Sequence, residues 1–98
     1  MLVQRSPLAG FRYYEAPRLV GQLSAGEALE LAREPDNPYD ANAVRVAWRG
    51  RRLGYVPRTQ NGALAWAMDR GQHFEARVVE RARRPRQRRG LEFEIFVN

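Results

Sequence analysis

Eight residues, Pro35-Asp36-Asn37-Pro38-Tyr39-Asp40-Ala41-Asn42, constrain this chain more than any other stretch. Two prolines and four Asn or Asp residues fall within them. Proline fixes φ, and Asx side chains bond back to their own backbone and tolerate left-handed geometry, so the stretch is strongly turn-forming. It runs into strand-like sequence on both sides, from Arg33-Glu34 and into Ala43-Val44-Arg45-Val46. Tyr39 and Asp40 sit inside the bend, an aromatic face beside a carboxylate. Residue types alone leave two readings. Asp40 bonds backbone amides and Tyr39 covers the core edge, or the bend is rigid and reads a ligand.

The flanks extend the pattern. Glu27-Ala28-Leu29-Glu30-Leu31-Ala32-Arg33 alternates, with Leu29 and Leu31 on one face and Glu30 on the other. Ala, Leu and Glu also suit a helix, but Pro35 limits its length and we read a strand. After the corner, Val44, Val46 and Trp48 alternate with Arg45 and Ala47, the mark of a half-buried strand. Arg49-Gly50-Arg51 supplies a hairpin turn, Arg52-Leu53-Gly54-Tyr55-Val56 returns, and Pro57 ends it. Upstream, Pro7-Leu8-Ala9-Gly10-Phe11-Arg12-Tyr13-Tyr14 reads as a first strand, with Gly10 marking a bulge or close approach. Glu15 to Gly26 reads as a loop anchored by Leu19, Val20 and Leu23.

Thr59 to Arg70 has helical spacing, with Ala63, Leu64, Ala67 and Met68 as its apolar stripe. Thr59 or Asn61 is the cap, Trp66 covers the rim of the core, and Gly71 is the stop. Two more alternating runs, Phe74–Val78 and Leu91–Val97, close the chain as a strand pair. With 98 residues, one modest core is available, so residues 1–98 form a single domain: a strand-rich sheet with one helix inserted.

Charge narrows the partner. All seventeen basic residues are arginine. Residues 1–48 carry five arginines against six acids, net −1, whereas residues 49–98 carry twelve against five, net +7. The connector between the last two strands holds six arginines in the nine residues from Arg81 to Arg89. Such crowding is favourable only when water, salt or an anionic ligand screens it. It reads either as a solvated hairpin tip or as a phosphate-seeking arm, and guanidinium groups fork onto phosphates and stack on bases.

Catalysis finds little support. Without cysteine there are no disulfides or thiolate metal sites, and the lone His73 has no partners for a zinc site or a relay. Absence of lysine excludes a P-loop. Asp36 and Asp40, with Glu34, offer carboxylates to Mg²⁺ and so a nuclease reading. Yet all three lie in one short stretch, and no catalytic residue, metal or cofactor is assigned. No apolar run reaches membrane-spanning length, and Met1–Arg5 lacks a signal-peptide core, so a cytoplasmic location without membrane contact is expected, nucleoid-associated if the partner is nucleic acid. Binding is better supplied: Arg12-Tyr13-Tyr14, Tyr39, Tyr55 and Arg58 combine cations with stacking faces, as single-stranded nucleic acid requires.

Three segments together carry a resemblance. Gly10-Phe11-Arg12-Tyr13-Tyr14, then Arg33-Glu34-Pro35-Asp36-Asn37-Pro38-Tyr39-Asp40-Ala41-Asn42-Ala43-Val44-Arg45-Val46, then Leu53-Gly54-Tyr55-Val56-Pro57-Arg58 resemble the motifs of the HIRAN domain in order and spacing. That module stands at the N-terminus of fork-remodelling helicases and also occurs as small free-standing bacterial proteins. The resemblance runs from about Pro7 to Gly71 and more weakly beyond. It implies a mainly β fold, an OB-like or SH3-like small β-barrel of about six strands with one or two short helices. It also implies binding of single-stranded DNA at a free 3′-hydroxyl, in DNA repair or replication-fork processing, with a helicase or other repair protein as partner.

Carried over by position, Arg12 and Tyr13 fall on the family's Arg-Tyr pair, and Tyr39 stacks with Tyr13 around the terminal base. Asp40 accepts a hydrogen bond from the 3′-hydroxyl, and Arg58 contacts a phosphate. Tyr55 stands where the helicase module has a histidine. In that module the last hairpin loop contributes an aromatic grip. Here the loop is the arginine run, so Arg83, Arg84 and Arg86 are expected to clamp electrostatically instead. The alternatives are sequence-nonspecific nucleic-acid binding through residues 81–89, or a metal-dependent nuclease using Asp36 and Asp40.

Overall fold

The computed structural model describes residues 1–79 and 90–97. Six strands run in chain order: β1 (Leu2–Pro7), β2 (Ala28–Arg33), β3 (Val44–Trp48), β4 (Arg51–Tyr55), β5 (Phe74–Val78) and β6 (Glu92–Val97). A short helix α1 (Ala16–Leu19) continues into a 3₁₀ turn (Val20–Gln22) between β1 and β2, and helix α2 (Gly62–Asp69) lies between β4 and β5. The strands form one antiparallel sheet in the order β1-β6-β5-β2-β3-β4.

The sheet curls until its outer strands meet. Just past β1, Leu8 N–H still bonds Leu91 of the β6 segment at 2.8 Å. One residue on, Ala9 exchanges both backbone hydrogen bonds with Tyr55 of β4, at 2.8 and 2.9 Å. The result is a curled half-barrel with two short helices, as expected. Its core takes the inward residues of every strand but β1, whose one buried residue is Ser6. Phe93, Ile95, Val44, Val46 and Leu53 are fully buried. Each such side chain stabilises the fold by roughly 1.5–3 kcal/mol.

The alternating runs became strands where expected, and Leu29 is buried while Glu30 is not. The first strand is different. It runs over Leu2–Pro7 rather than Pro7–Tyr14, because Gly10 takes φ +74° and Tyr13 N–H closes a turn onto its carbonyl at 3.0 Å. The expected loop after it contains α1 and the 3₁₀ turn, with Leu19 and Leu23 buried as its anchors. In α2 the buried face is Leu64 and Ala65, and Ala63 is exposed. Asn61 occupies the N-cap position, but its side chain makes no capping bond. Trp66 does not cover the core. It is 60% exposed, with the Arg70 guanidinium 3.7 Å from its ring centre.

Gly54 lies beside the closing bridge. A Cβ there would run into the Ala9 carbonyl oxygen and lie 2.9 Å from Leu8 Cγ. Backbone cannot yield as a flexible side chain does, so Gly54→Ala should destabilise the domain by about 1–3 kcal/mol, read as a lower urea midpoint. An unchanged midpoint would mean the closure is slack.

Candidate functional site

The corner between β2 and β3 is held from within and from outside. Asn37 Oδ1 accepts from the N–H groups of Tyr39 (2.9 Å) and Asp40 (3.2 Å), an Asx turn. Asp40 Oδ1 in turn accepts from Asn42 N–H at 2.9 Å. From β2, Arg33 donates to the carbonyls of Ala43 (2.7 Å) and Ala41 (2.9 Å). The same guanidinium forks onto Asp69 of α2 at 2.9 and 3.2 Å. That hydrogen bond holds the Asp69 carboxyl below its ordinary value. At the other end of the helix, Asn61 makes no side-chain capping bond, and its Nδ2 donates to Asp40 Oδ2 at 2.7 Å.

Held this way, Asp40 is oriented but not sealed. Its side chain remains 17% exposed, and Arg58 Nε stands 3.8 Å from Oδ2. A carboxylate offers about four acceptor positions, so one bond to each oxygen leaves capacity. The Tyr39 ring projects outward, 84% exposed. Tyr13 is 83% exposed and Arg12 is also exposed, both on the turn after Gly10. Arg58 is 77% exposed at its side chain.

An open cleft of about 510 Å³ lies beside the corner, lined by Tyr39, Tyr55, Tyr14, Glu34, Arg52 and Arg33 among others. Tyr14 meets Tyr55 edge to face, with ring centres 5.6 Å apart. Arg52 lies over the Tyr14 ring at 4.9 Å. Tyr55 Oη donates to Glu34 Oε1 at 2.8 Å, and Asn37 Nδ2 donates to the same oxygen at 3.1 Å. Burial pushes the Glu34 carboxyl up, but these bonds and the Arg52 and Arg45 guanidinium groups outweigh it, so the acid sits below its ordinary value. Burial and the Glu34 carboxylate push the Tyr55 phenol up to about 12.

Thus Tyr39 and Tyr55 share the cleft, whereas Asp40 and Arg58 pair at 3.8 Å outside its lining. Arg12 and Tyr13 stand outside the lining, linked to Tyr55 through the Ala9 bridge. Arg83, Arg84 and Arg86 lie outside the described residues, as does the arm over 81–89. Sequence reasoning missed Arg52 and the pairing of Glu34 with Tyr55. The Glu34–Tyr55 contact joins positions 21 apart, and only the strand register of Arg45 opposite Tyr55 could have indicated it. Among the described residues no three His, Asp or Glu side chains are grouped as a metal would need, and no helix is long and apolar enough to cross a membrane.

Fold and site together define a small antiparallel half-barrel with an aromatic corner. The chain belongs to the HIRAN domain family, which matches residues 1–97. It is 39% identical over 66 residues to the helicase-like transcription factor of Oryctolagus cuniculus and 38% identical over 66 residues to that of Homo sapiens, in each case 66% of this chain. The match spans only 6% of the length of those relatives. Among solved structures, a protein from Lactobacillus plantarum superposes with a TM-score of 0.82 at 31% identity, covering 97% of this chain and 91% of that one. The HIRAN domain of human HLTF superposes with a TM-score of 0.73 at 30% identity, covering 94% and 71%.

Two outcomes test this geometry. The neutral Tyr55 phenol is favoured in the folded state, so its contribution is full below the ordinary tyrosine value of 10.0 and is lost as pH rises through about 12. Tyr55→Phe should remove the phenolate absorbance that rises at about pH 12 and flatten the loss of thermal stability across that window. Arg33→Ala should speed hydrogen exchange of the amides at 39–43, measured against the β5 and β6 amides as an internal reference. Unchanged exchange would mean that the Asx and backbone bonds hold the corner without Arg33.

Proposed function

We infer that this domain is a non-enzymatic module that binds single-stranded DNA by its free 3′-hydroxyl end. The observation that carries this reading is the pairing of an outward Tyr39 ring with a fixed, still accessible Asp40 carboxylate. An acceptor-only group beside a stacking face suits a sugar hydroxyl, which donates, and repels a phosphate, which cannot. An unblocked terminus satisfies both groups, whereas the middle of a strand brings phosphate to Asp40. Tyr13 stacks with Tyr39 on the terminal base, worth roughly 1–3 kcal/mol per base. Arg12 and Arg58 contact the backbone, and Tyr55 supports the adjoining base.

Membership of the HIRAN family supports the same reading, as does the net +7 carried by residues 49–98. Arg83, Arg84 and Arg86 add a sequence-independent, salt-sensitive share of the affinity. The pathway we assign is repair or fork processing, alongside a helicase or other repair protein.

The test compares 3′-hydroxyl, 3′-phosphate and circular single strands of one sequence in fluorescence anisotropy titrations at fixed salt. Loss of a hydrogen bond to a charged group is worth about 1.5–3 kcal/mol, so the blocked and circular strands should bind at least about tenfold more weakly. Asp40→Asn should narrow that gap. Equal affinity for all three strands with a steep salt slope would point instead to general binding through the arginine arm. Cleavage of labelled DNA with Mg²⁺, abolished in Asp36→Asn, would establish the nuclease reading.

A further inference from the structure

The two oxygens of Glu34 are in different situations. Oε1 accepts from both Tyr55 Oη and Asn37 Nδ2. Oε2 has Arg45 Nη1 at 3.7 Å, an ion-pair separation beyond hydrogen-bond length. The carboxylate side chain is 22% exposed and lines the open cleft. Tyr14, Tyr39 and Tyr55 contribute rings to the same walls.

This combination selects what can enter. A carboxylate repels backbone phosphate, so the part of a strand that approaches Glu34 is a base. Aromatic walls accept the face of any base, because every base has a π-face. The edge is another matter, since an ionised carboxylate accepts and never donates. Cytosine brings an exocyclic amino group, and adenine and guanine bring theirs. Thymine and uracil instead offer one imino N–H flanked by two carbonyl oxygens, whose lone pairs face the carboxylate.

Resting on the nucleic-acid reading above, we propose that Glu34 is a specificity-determining residue: through Oε2 it reads the edge of a base held in the cleft and favours amino-bearing bases over thymine or uracil. Tyr55 and Asn37 act as positioning residues, holding Oε1 so that the second oxygen is left for the ligand. Arg45 and Arg52 keep the carboxylate charged without closing it off.

The test compares short 3′-hydroxyl strands of deoxycytidine and deoxyuridine, which differ only at the N3–C4 edge, by fluorescence anisotropy at fixed salt. The native protein should bind the deoxycytidine strand at least about tenfold more tightly, the worth of one hydrogen bond to a charged group. In Glu34→Gln the amide oxygen still accepts from Tyr55 while its N–H₂ replaces Oε2, so the preference should vanish or reverse, with thermal unfolding confirming that the variant folds. Equal native affinities, with the preference for a 3′-hydroxyl over a 3′-phosphate intact, would overturn the base-reading role and leave end recognition standing. A preference unchanged in Glu34→Gln would place the reader elsewhere. Failure to bind either strand would remove both this role and the proposed function.

Discussion

One guanidinium holds the architecture of the corner together. Arg33 leaves the end of β2 nearly covered, 13% exposed at its side chain, and reaches two carbonyls of the bend and both oxygens of Asp69. Its planar fork suits this work, because five donors in fixed geometry can satisfy several acceptors at once where an ammonium group would act as a point. The Ala43 carbonyl also accepts from Glu34 N–H at 3.0 Å and Ala41 lies at the surface, so Arg33 adds to bonds the bend already has and ties it to α2 through Asp69.

From that anchor the chemistry of the bend follows. Asx turns at Asn37 and Asp40 use side chains as hydrogen-bond partners for the backbone, and the Tyr39 ring between them stands outward. Asn61, at the N-cap position of α2, makes no side-chain capping bond, and its Nδ2 donates to Asp40 Oδ2, so the start of the helix orients the carboxylate.

The sheet was legible where side chains alternate. Leu29, Val44, Val46, Phe93 and Ile95 announce their strands because a period of two leaves one face dry. β1 did not announce itself. Its Leu2 and Val3 are exposed while Ser6 is fully buried against Gln60, the reverse of the usual pattern. The aromatic run Phe11–Tyr14 looked more strand-like, yet Gly10 bends it into a turn. At the site, the corner with its exposed Tyr39 and its part-buried Asp40 was visible from proline and Asx spacing together with the family motif. The Glu34–Tyr55 bond, the reach of Arg33 and the redirected Asn61 are products of register and packing between distant segments, which no local pattern encodes.

The Ala9–Tyr55 bridge has a consequence for how the molecule responds to a ligand. Tyr55 supplies the backbone groups that seal the two margins of the sheet, and its ring forms a wall of the cleft. One residue thus belongs both to the join and to the cleft wall, and a ligand that bound only the closed form would stabilise the join by mass action.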